Sequence, residues 1–508
     1  MAGHSRRFAE KGYNIPKFLI KIDGKYMIEH IVEMFDKNDF FHFIINSNHL
    51  NQFPDIGQLL NKITNNNELI VIKPNEKGPV YSIIKSLNIP DRSKFIISYC
   101  DFKVYWNYKK FKREVVGMEG AIPSFRGMHP ASFGDTYYAY IQVNKKNEML
   151  ELKEKESFTD NRQNEFASTG IYYFKNWKRF KQYAKMILED SQQVLPEAYV
   201  SLIYNPMVKD GYKIKVTEVK YFICWGTPRD VDHYNFWSIF FKTNYRIPLK
   251  PLSKNKQINI MPMAGKGERF KNYDLVKKPF IKIGNQTMME KSIDSMPGAD
   301  KWFFVVKKID IQKNNASFIL NKIRNNSHII ELNGNTKGQA ITCSHAIKKA
   351  KKDDSIFIAS CDYVTIFDNQ KWQKIIDDQS IDGAIWTFKL NNTLVRDYNN
   401  FGYCVTNSKN KIVKSVIEKK IISKNPYLDP MIVGSFWFRK ASDYSYMMTE
   451  MINKDITINN EYYIANGINI LIKNKRKFVI FDIEQWISFG DPFELEVFNY
   501  WRNVFNTF

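Results

Sequence analysis

Cysteine is scarce in this chain and never occurs in close pairs. The 508 residues include five cysteines, at positions 100, 224, 343, 361 and 404, and no CxxC motif. An odd number of widely spaced cysteines in a long chain argues against a disulfide framework and against a zinc site. We therefore expect a reducing compartment and a cytoplasmic protein.

Long apolar segments are also missing. No stretch of 18 uninterrupted apolar residues occurs, so the sequence predicts no transmembrane helix. The opening MAGHSRRFAEKGYN has no apolar run behind its basic residues, and we therefore expect no signal peptide. The apolar share of 44% is ordinary for globular proteins, and the length predicts two or more domains.

Acidic residues are few compared with basic ones. The chain has 53 Asp and Glu against 75 Lys and Arg, a net charge of +22. Such an excess suits a nucleic-acid or membrane surface, or a site for anionic substrates such as nucleoside triphosphates. It also suits the Lys-, Asn- and Ile-rich composition that an AT-rich genome produces. Because the lysines are spread along the chain rather than gathered in one block, we expect no nucleic-acid partner.

The chain repeats itself once. Six segments recur in the same order at offsets of 260 to 264 residues, which predicts a duplication of a whole domain. We predict a first copy over residues 1–247 and a second over 256–508, with a proline-containing linker at 245–257. The matching pairs are MAGHSRRF and MAGKGERF, NEKGPV and NTKGQA, SYCDF and ASCDY, LKEK and VIEK, PEAYV and NEYYI, and WGTPRDVDHYNFW and FGDPFELEVFNYW.

Short β-rich runs alternate with helical segments in both copies. FIISY at 95–99 and SIFIA at 355–359 read as strands, as does Ile258–Met263, while residues 27–35 and 288–296 read as helices. This alternation predicts an α/β fold with a mostly parallel sheet and helices on both faces. Ligands then bind beyond the carboxyl ends of the strands.

A glycine loop follows the strand Ile258–Met263. Ala264, Gly265 and Gly267 allow close backbone approach to an anion, and Arg269 adds positive charge. The alternative is a plain strand-to-loop turn. A lysine follows a short loop later, as KKPFI in the second copy and as PKFLI in the first. A lysine there can act as a point charge against a triphosphate.

These motifs resemble those of the sugar-1-phosphate nucleotidyltransferases. Both copies open with M-A-G-x-x-x-R-F and continue with the lysine motif and then G-K-Y-M-I-E or G-N-Q-T-M-M-E. The resemblance implies two tandem Rossmann-like (GT-A-like) nucleotidyltransferase domains. It also implies which residues hold the triphosphate: Gly265, Gly267, Arg269 and Lys278 in the second copy, and Gly3, Arg7 and Lys17 in the first.

The first copy departs from the second at its start. Ser5 stands where Gly267 stands, so backbone approach should be less free. Met1 aligns with Met263, so the first copy has no counterpart of residues 258–262. Either the chain begins upstream or the first sheet is incomplete, and we favour the former.

An aspartate closes a β-like run in each copy. Attack on an α-phosphate depends on positioning and on charge neutralisation by Mg²⁺, which takes one or two carboxylates and phosphate oxygens. The resemblance implies that Asp101 and Asp362 bind this metal. The alternative is that each aspartate caps a following helix.

The family's second metal-binding aspartate is missing from both copies. Cys224 and Ser488 occupy its position, before Gly226-Thr227-Pro228 and Gly490-Asp491-Pro492. This departure puts a two-carboxylate metal site in doubt. Glu218 and Asp482, eight residues before those glycines, are possible substitutes, and Asp230 is more typical of a helix cap.

A nucleobase pocket and an acceptor site follow from the resemblance. Gly338 and Gln339 match the segment that lines the base, although a helix start after a glycine turn explains them equally well. The first copy has Gly78-Pro79 there and lacks the amide. The candidates for binding the acceptor are Glu418, Lys419 and Gly434 in the second copy and Glu154, Lys155 and Gly170 in the first. The alternative for each Glu-Lys pair is a solvated surface, and the alternative for each glycine segment is a core strand.

The sequence therefore predicts an Mg²⁺-dependent enzyme that joins an NTP to a phosphorylated acceptor and releases pyrophosphate. Such a reaction would supply surface polysaccharide or glycolipid synthesis, and the enzyme could be a homo-oligomer. One alternative is a nucleotide-sugar-dependent glycosyltransferase, although neither copy has a D-x-D motif near Asp101 or Asp362. Another is that the first copy is non-catalytic.

Overall fold

The computed structural model divides into two units. It describes residues 1–191, 197–243, 256–271, 277–314, 320, 326–389, 398–407 and 411–506. Unit 1 comprises Met1–Lys242 with Tyr500–Phe508, and unit 2 comprises Thr243–Asn499. The predicted linker lies outside the described residues up to position 255.

Unit 1 begins with short elements and continues into a larger sheet. Its described strands are β1 (Lys21–Ile22), β2 (Lys25–Tyr26), β3 (Phe41–Asn46), β4 (Asn67–Ile72), β5 (Phe95–Ser98), β6 (Phe102–Tyr105), β7 (Gly120–Phe125), β8 (Ala139–Val143), β9 (Met149–Glu154), β10 (Phe166–Ser168), β11 (Ile171–Phe174), β12 (Ile214–Glu218) and β13 (Tyr221–Cys224). Its described helices are α1 (Arg6–Ala9), α2 (Met27–Val32), α3 (Ser47–Gln52), α4 (Ile56–Ile63), α5 (Pro79–Ser86), α6 (Tyr108–Glu114), α7 (Trp177–Ser191), α8 (Tyr204–Lys209) and α9 (Pro228–Lys242).

Unit 2 has the same kind of element order. Its described strands are β14 (Gln257–Pro262), β15 (Lys282–Ile283), β16 (Gln286–Thr287), β17 (Lys301–Lys307), β18 (Ser327–Leu332), β19 (Ser355–Ile358), β20 (Tyr363–Ile366), β21 (Gly383–Phe388), β22 (Tyr403–Thr406), β23 (Val413–Ile417), β24 (Met431–Phe438), β25 (Phe478–Asp482) and β26 (Gln485–Ser488). Its described helices are α10 (Met288–Asp294), α11 (Lys308–Asn314), α12 (Gln339–Ile347), α13 (Asn369–Asp377), α14 (Ala441–Asn453), α15 (Ile464–Lys473) and α16 (Pro492–Phe505), the last of which ends in residues assigned to unit 1.

The main sheet of unit 2 has β14 near its centre. Its strand order is β18-β17-β14-β19-β24-β21-β25, with β22 and β23 attached beside β24. The first four strands run parallel, and β24 is antiparallel to both β19 and β21. The predicted glycine loop follows β14 and Asp362 follows β19, so both lie at the carboxyl ends of parallel strands.

Both faces of this sheet are covered by helices. Ile258 and Ile260 of β14 belong to a core cluster that includes residues of α12, α14 and α15. Met261 belongs to a second cluster with residues of α10 and α13. The near-continuous apolar character of β14 follows from this burial on both sides.

The sheets of unit 1 are mixed and less continuous. The larger one has the order β5-β11-β7-β10-β8-β9, antiparallel throughout, and β12 joins β7 in parallel. A separate two-stranded parallel sheet contains β3 and β4. The α/β class is confirmed, but the expectation of a mostly parallel sheet is wrong for unit 1. Its larger sheet is built from returning strands, whereas only the first part of unit 2 has successive parallel strands.

Several local predictions are confirmed. The runs read as strands form β5, β14 and β19, and the predicted helices form α2 and α10. Thr287 and Glu290 make a capping box at the start of α10, which explains why the helix begins there. Among the described residues, none of the helices combines the length and apolar character needed to span a bilayer.

Candidate active site

The chain leaves β14 through a glycine loop with an open backbone. Gly267 has φ +67° and ψ 34° and precedes the 3₁₀ turn Glu268–Phe270. This left-handed conformation favours glycine because a side chain would crowd the following carbonyl. A Cβ built on Gly265 would meet no described atom within 4 Å. The loop therefore presents accessible main-chain groups at the carboxyl end of β14, where an anion can approach.

Unit 1 makes the same turn with a serine. Ser5 has φ 52° and ψ 30°, close to the angles of Gly267. A non-glycine residue in this region carries a strain of about 1–2 kcal/mol. The Ser5 hydroxyl accepts a hydrogen bond of 3.1 Å from the backbone N–H of Lys17, which offsets part of that strain. Ser5 thus keeps the same turn that Gly267 makes in unit 2.

A lysine and an aspartate form an ion pair beside the glycine loop in each unit. Lys278 Nζ lies 2.6 Å from Asp362 Oδ2 and 3.0 Å from the carbonyl oxygen of Gly490. Lys17 Nζ lies 2.7 Å from Asp101 Oδ2. Burial, the largest single effect, lowers the pKa of each lysine, but the charge of its aspartate, the hydrogen bond to it and the neighbouring cysteine together raise the pKa above its usual value. Both ammonium groups are therefore charged at neutral pH.

The two aspartates lie between strands rather than at helix starts. Asp362 follows β19 and directly precedes β20, and Asp101 stands between β5 and β6. The helix-cap alternative is therefore wrong. The carbonyl of Asp362 accepts a 2.7 Å hydrogen bond from Phe489 N–H, and that of Asp101 accepts one from Trp225 N–H at the same distance. These bonds extend the antiparallel pairs β20–β26 and β6–β13 by one residue and hold each aspartate at the end of its pair.

A second carboxylate lies near Asp362 in unit 2. Glu494, in the first turn of α16, accepts hydrogen bonds from Ser488 Oγ at 2.5 Å and from Asp491 N–H at 3.2 Å. Burial raises the pKa of Glu494, and the negative charges of Asp491 and Asp362 contribute in the same direction. Ser488 occupies the position at which the sequence resemblance led us to expect an aspartate, and the carboxylate here comes instead from Glu494, six residues further along the chain.

Unit 1 repeats this arrangement with a shorter side chain. Asp230 accepts hydrogen bonds from Thr227 N–H at 2.9 Å and from Thr227 Oγ1 at 2.7 Å. Thr227 directly precedes α9, and Asp230 lies in the first turn of that helix. The two hydrogen bonds between them therefore confirm the expected helix-capping role of Asp230. A Cβ built on Gly226 would lie 3.4 Å from Asp101 Oδ2 and 3.8 Å from Asp230 Oδ2, so both carboxylates face this glycine. Burial raises the pKa of Asp230.

The two acidic residues considered as substitutes have other partners. Glu218 forms an ion pair of 3.2 Å with Arg126. Asp482 accepts hydrogen bonds from Thr387 Oγ1 and from Lys411 Nζ, each 2.8 Å long. The Glu218 carboxylate is thus paired with an arginine, and the Asp482 carboxylate with a strand threonine and a surface lysine.

The predicted base segment begins with a glycine that packs against a distant backbone. Gly338 has φ +101° and ψ 171°, and a Cβ built on it would lie 2.7 Å from both N and O of Tyr462. Gln339 opens α12, and its Nε2 donates to Ser360 Oγ at 3.3 Å, two residues before Asp362. Glycine is thus required here by close packing, while the amide of Gln339 lies near the end of β19.

The predicted acceptor residues of unit 2 are partly buried and lie beside aromatic groups. Burial raises the pKa of Glu418 to about 7, with Lys419 acting in the opposite direction. Lys419 Nζ donates to Tyr463 Oη at 2.6 Å. Gly434 has φ +96°, and a Cβ there would lie 3.8 Å from the Tyr363 ring. The Glu–Lys pair is not a fully solvated face, since both Glu418 and Lys419 are partly buried.

Arg269 and Gly490 connect the loop with the acceptor side. A Cβ on Gly490 would lie 3.0 Å from Glu494 Oε2 and 3.8 Å from Arg269 Nη1. The positive charge of Arg269 also acts on the hydroxyl of Tyr463, lowering a pKa that burial and Glu461 raise. The predicted cation, the glycine loop and the Glu–Lys pair therefore converge on one region of unit 2.

The first-copy candidates line one cavity within unit 1, of about 1310 Å³. Burial raises the pKa of Glu154, which accepts a hydrogen bond from Ser201 Oγ, and Lys155 donates to Tyr199 Oη. Pro79 opens α5 where Gln339 opens α12. The candidates on the cavity wall are Gly3, Arg7, Lys17, Gly78, Asp101, Glu154, Lys155 and Gly170.

Glu494 was missed by sequence reasoning. It aligns with Asp230 in the repeated block at an offset of 264, so an acidic residue at that place in both copies was the available signal. The family pattern directed attention instead to the position of Ser488. Only the fold shows that the helix start brings a carboxylate back to the same point.

Comparisons with known proteins give structural likenesses only. No family model and no curated protein matches this chain. A nucleoside-diphosphate-sugar pyrophosphorylase from Vibrio cholerae is 22% identical with a TM-score of 0.39, covering 47% of this chain and 99% of its own. The inositol-1-phosphate CTP transferase from T. maritima is 12% identical with a TM-score of 0.40, covering 50% of this chain and 97% of its own. Each solved structure thus spans about half of this chain.

Proposed function

We propose that unit 2 transfers a nucleotidyl group from an NTP to a phosphorylated small molecule, of the sugar-1-phosphate type, and releases pyrophosphate. The observation that supports this most is the Lys278–Asp362 ion pair of 2.6 Å beside the open glycine loop. A fixed cation and a carboxylate next to accessible backbone N–H groups match the needs of a triphosphate with its counter-ion.

The bond changes require positioning and charge, and no covalent enzyme intermediate. A phosphate oxygen of the acceptor attacks the α-phosphorus, and the bond to the bridging oxygen of the pyrophosphate breaks on the opposite side. Lys278 and Arg269 neutralise negative charge on the triphosphate as the pyrophosphate leaves. The two oxygens exchange places at phosphorus, so the phosphate oxidation state is unchanged.

Magnesium fits the residues present in unit 2. Among the described residues, no cluster of three or more His, Cys, Asp or Glu could hold a metal ion. Mg²⁺ needs only one or two carboxylates when substrate phosphates complete its shell. Asp362 would hold it, with Glu494 as a second carboxylate; the metal would supply neutralisation of the phosphate charge. Lys278 then has to release Asp362, in whole or in part, and turn to the phosphates.

The rest of the site suits a base and an acceptor. Gln339 presents an amide that can pair with a nucleobase edge, near the end of β19. Lys419 Nζ donates a hydrogen bond to Tyr463 Oη at 2.6 Å and can also bind a phosphate. Glu418, with a pKa of about 7, can hydrogen-bond to acceptor hydroxyls as donor or as acceptor near neutral pH.

We further propose that the units arose by tandem duplication and differ in role. Unit 1 has the same ion pair, between Lys17 and Asp101 at 2.7 Å. It has Pro79 in place of the amide of Gln339, so its base preference should differ, or its role should be binding alone. We assign the product to surface polysaccharide or glycolipid synthesis in the cytoplasm.

The test is pyrophosphate release by the purified full chain. Each NTP is paired with a panel of sugar-1-phosphates and phosphocholine in the presence of Mg²⁺. Asp362→Asn, Asp101→Asn and the control Asp353→Asn are compared; the Asp353 side chain is 81% exposed and pairs with Lys440. We expect acceptor-dependent release that falls about 100-fold or more in Asp362→Asn, the size typical of a lost charge-stabilising group.

The outcomes separate the units. Retention in Asp362→Asn with loss in Asp101→Asn would move the reaction to unit 1. Equal loss in Asp353→Asn would show that folding rather than chemistry is affected. Absence of release with every NTP and acceptor, together with hydrolysis of a nucleotide sugar, would favour a glycosyltransferase.

A further inference from the structure

The pairing between β19 and β24 stops just before the candidate site of unit 2. Its last pair is Ile358 with Phe436. Beyond this pair, one side-chain hydroxyl joins the two strands. Tyr363 Oη accepts a 3.2 Å hydrogen bond from Ser360 N–H and shares a 2.6 Å hydrogen bond with Ser435 Oγ. The end of β19 and the neighbouring part of β24 are therefore connected through Tyr363.

β24 is irregular at the same point. Between the pairs Ile385–Phe436 and Thr387–Ile432, one residue of β21 stands opposite three residues of β24. Gly434 is the middle residue of these three, and its φ is +96°. It is also the only one of the eight residues of β24 that is not buried. Bulges of this kind redirect the chain and occur beside active sites, so the irregularity exposes the backbone where the acceptor is expected.

Unit 1 joins the corresponding strands through the backbone alone. The ladder between β5 and β11 runs one pair further than the ladder between β19 and β24. Tyr99 N–H then donates to the Gly170 carbonyl at 3.1 Å. In the repeated SYCDF and ASCDY segments, Tyr99 corresponds to Ser360 and Phe102 to Tyr363. Because phenylalanine has no hydroxyl, the bridge of unit 2 cannot form in unit 1, and the strands stay together.

The two arrangements leave different amounts of room at the glycine. A Cβ built on Gly170 would lie 3.1 Å from the Phe102 ring and 3.2 Å from the Tyr99 ring, closer than carbon atoms normally approach. A Cβ built on Gly434 would lie 3.8 Å from the Tyr363 ring, an ordinary van der Waals distance. The bridging hydroxyl is therefore accompanied by additional space beside the backbone of Gly434.

The bridge is buried and is anchored on the side of β19. Tyr363 is 5% exposed and Ser435 is 1% exposed, so water does not compete for the hydrogen bond between them. Burial also raises the pKa of Tyr363, and its hydroxyl stays protonated at neutral pH. Ser360 Oγ accepts a 3.3 Å hydrogen bond from Gln339 Nε2, and β19 is paired with β14 along its other edge. Loss of the bridge should therefore displace β24 rather than β19.

We propose that Tyr363 is a positioning residue for the acceptor: its hydroxyl holds β19 and β24 apart at Gly434 and so shapes the place where the phosphorylated acceptor binds. The inference rests on the transfer reaction proposed for unit 2. Tyr363 acts through Ser435 and Gly434 rather than by contact with the acceptor. In Tyr363→Phe, Ser360 N–H should turn to the Gly434 carbonyl, as the corresponding groups do in unit 1, and the space should close.

The test measures steady-state kinetics of the full chain with Mg²⁺, using the NTP and the sugar-1-phosphate or phosphocholine that give the fastest pyrophosphate release. The variants are Tyr363→Phe, Ser435→Ala and the two together. The control is Thr365→Val, because Thr365 also lies in β20 and its buried hydroxyl donates to the Ser295 carbonyl at 3.1 Å.

We expect Tyr363→Phe to raise the KM for the acceptor about fivefold to tenfold, the size of one lost buried hydrogen bond. The KM for NTP should change less than about twofold, since the contact between Gln339 and Ser360 remains. Ser435→Ala should have a smaller effect in the same direction. The double variant should be no worse than Tyr363→Phe, because both changes remove one bridge, and Thr365→Val should leave both KM values unchanged.

Crystal structures of the unaltered chain and of Tyr363→Phe give a second readout that needs no activity. We expect Ser360 N–H to donate to the Gly434 carbonyl in the variant only. An unchanged gap, an unchanged KM for the acceptor, or an equal rise in Thr365→Val would overturn the proposal. A chain that releases no pyrophosphate with any pair would refute the proposed function and the acceptor role with it, whereas the two structures would still decide whether Tyr363 sets the gap.

Discussion

Gly338→Ala is the most informative single change, because it adds one methyl group to a position that the backbone of unit 2 encloses. Gly338 has φ +101° and ψ 171°, a region that side chains rarely adopt. It lies between two hydrogen bonds that join its neighbours to Tyr462: Tyr462 N–H donates to Lys337 O at 2.9 Å, and Ala340 N–H donates to Tyr462 O at 3.2 Å. The new Cβ would lie 2.7 Å from Tyr462 N and O.

The expected cost follows from these contacts. Holding alanine in this conformation costs about 1–3 kcal/mol. Losing two backbone hydrogen bonds costs about 0.5–1.5 kcal/mol each. The free energy of unfolding of unit 2 should therefore fall by about 2–6 kcal/mol. Since Gln339 begins α12 at this point, the position of its amide should change as well.

The chain offers a matched control and a replicate. Gly334 lies in the same connection, and a Cβ there would meet no described atom within 4 Å, so Gly334→Ala should change stability by less than about 0.5 kcal/mol. Gly78 in unit 1 has φ +89°, and its Cβ would lie 2.6 Å from Ala198 N, so Gly78→Ala should destabilise unit 1 similarly. Urea unfolding followed by hydrogen exchange assigns each loss to its unit. If Gly338→Ala were as stable as Gly334→Ala, the packing argument would be refuted.

Three further changes test other contacts. Burial raises the pKa of Glu418 to about 7 from an ordinary value near 4.5, so the protonated side chain is compatible with the fold at low pH and the protein loses stability as pH rises through 7. At roughly 1.36 kcal/mol per pKa unit, the free energy of unfolding of Glu418→Gln should rise by about 3 kcal/mol relative to the original chain between pH 4.5 and 8, as measured by urea titration. Lys278→Met should raise the KM for NTP and lower kcat without unfolding the protein. Unchanged kinetics would contradict the proposed contact between Lys278 and the phosphates. Arg439 donates to the carbonyls of Ile376, Asp378 and Ile381 at 2.6 to 3.0 Å, so Arg439→Lys should destabilise unit 2 by about 1.5–3 kcal/mol in the same titrations.

The sequence predicted those features that depend on local pattern. The apolar runs that became β14 and β19 are buried, that of β5 is partly buried, and the apolar composition of all three indicates a strand. The capping pattern of Thr287 and Glu290 marks the start of α10. The resemblance assigned the lysine to the triphosphate and the aspartate to the metal, and only the structure shows that Lys278 and Asp362 form an ion pair.

Other features depend on residues far apart in the chain. The antiparallel strand β24 takes its direction from its partners β19 and β21, which lie far from it in sequence. The need for glycine at 338 arises from Tyr462, which the local sequence does not reveal. Glu494 reaches Ser488 only because the turn before α16 folds back, so its carboxylate could not be placed from spacing alone.

The two units differ most at the element that precedes the glycine loop. In unit 2 the loop follows a strand that two neighbours fix along its length, so Gly265 and Gly267 start from a rigid position. In unit 1 the corresponding residues are held by Asn46 at Ala2 and by Ser5 at Lys17. A catalytic group must be held within a fraction of an ångström to act. The loop of unit 2, which two neighbouring strands hold in place, is therefore the one that we expect to support catalysis.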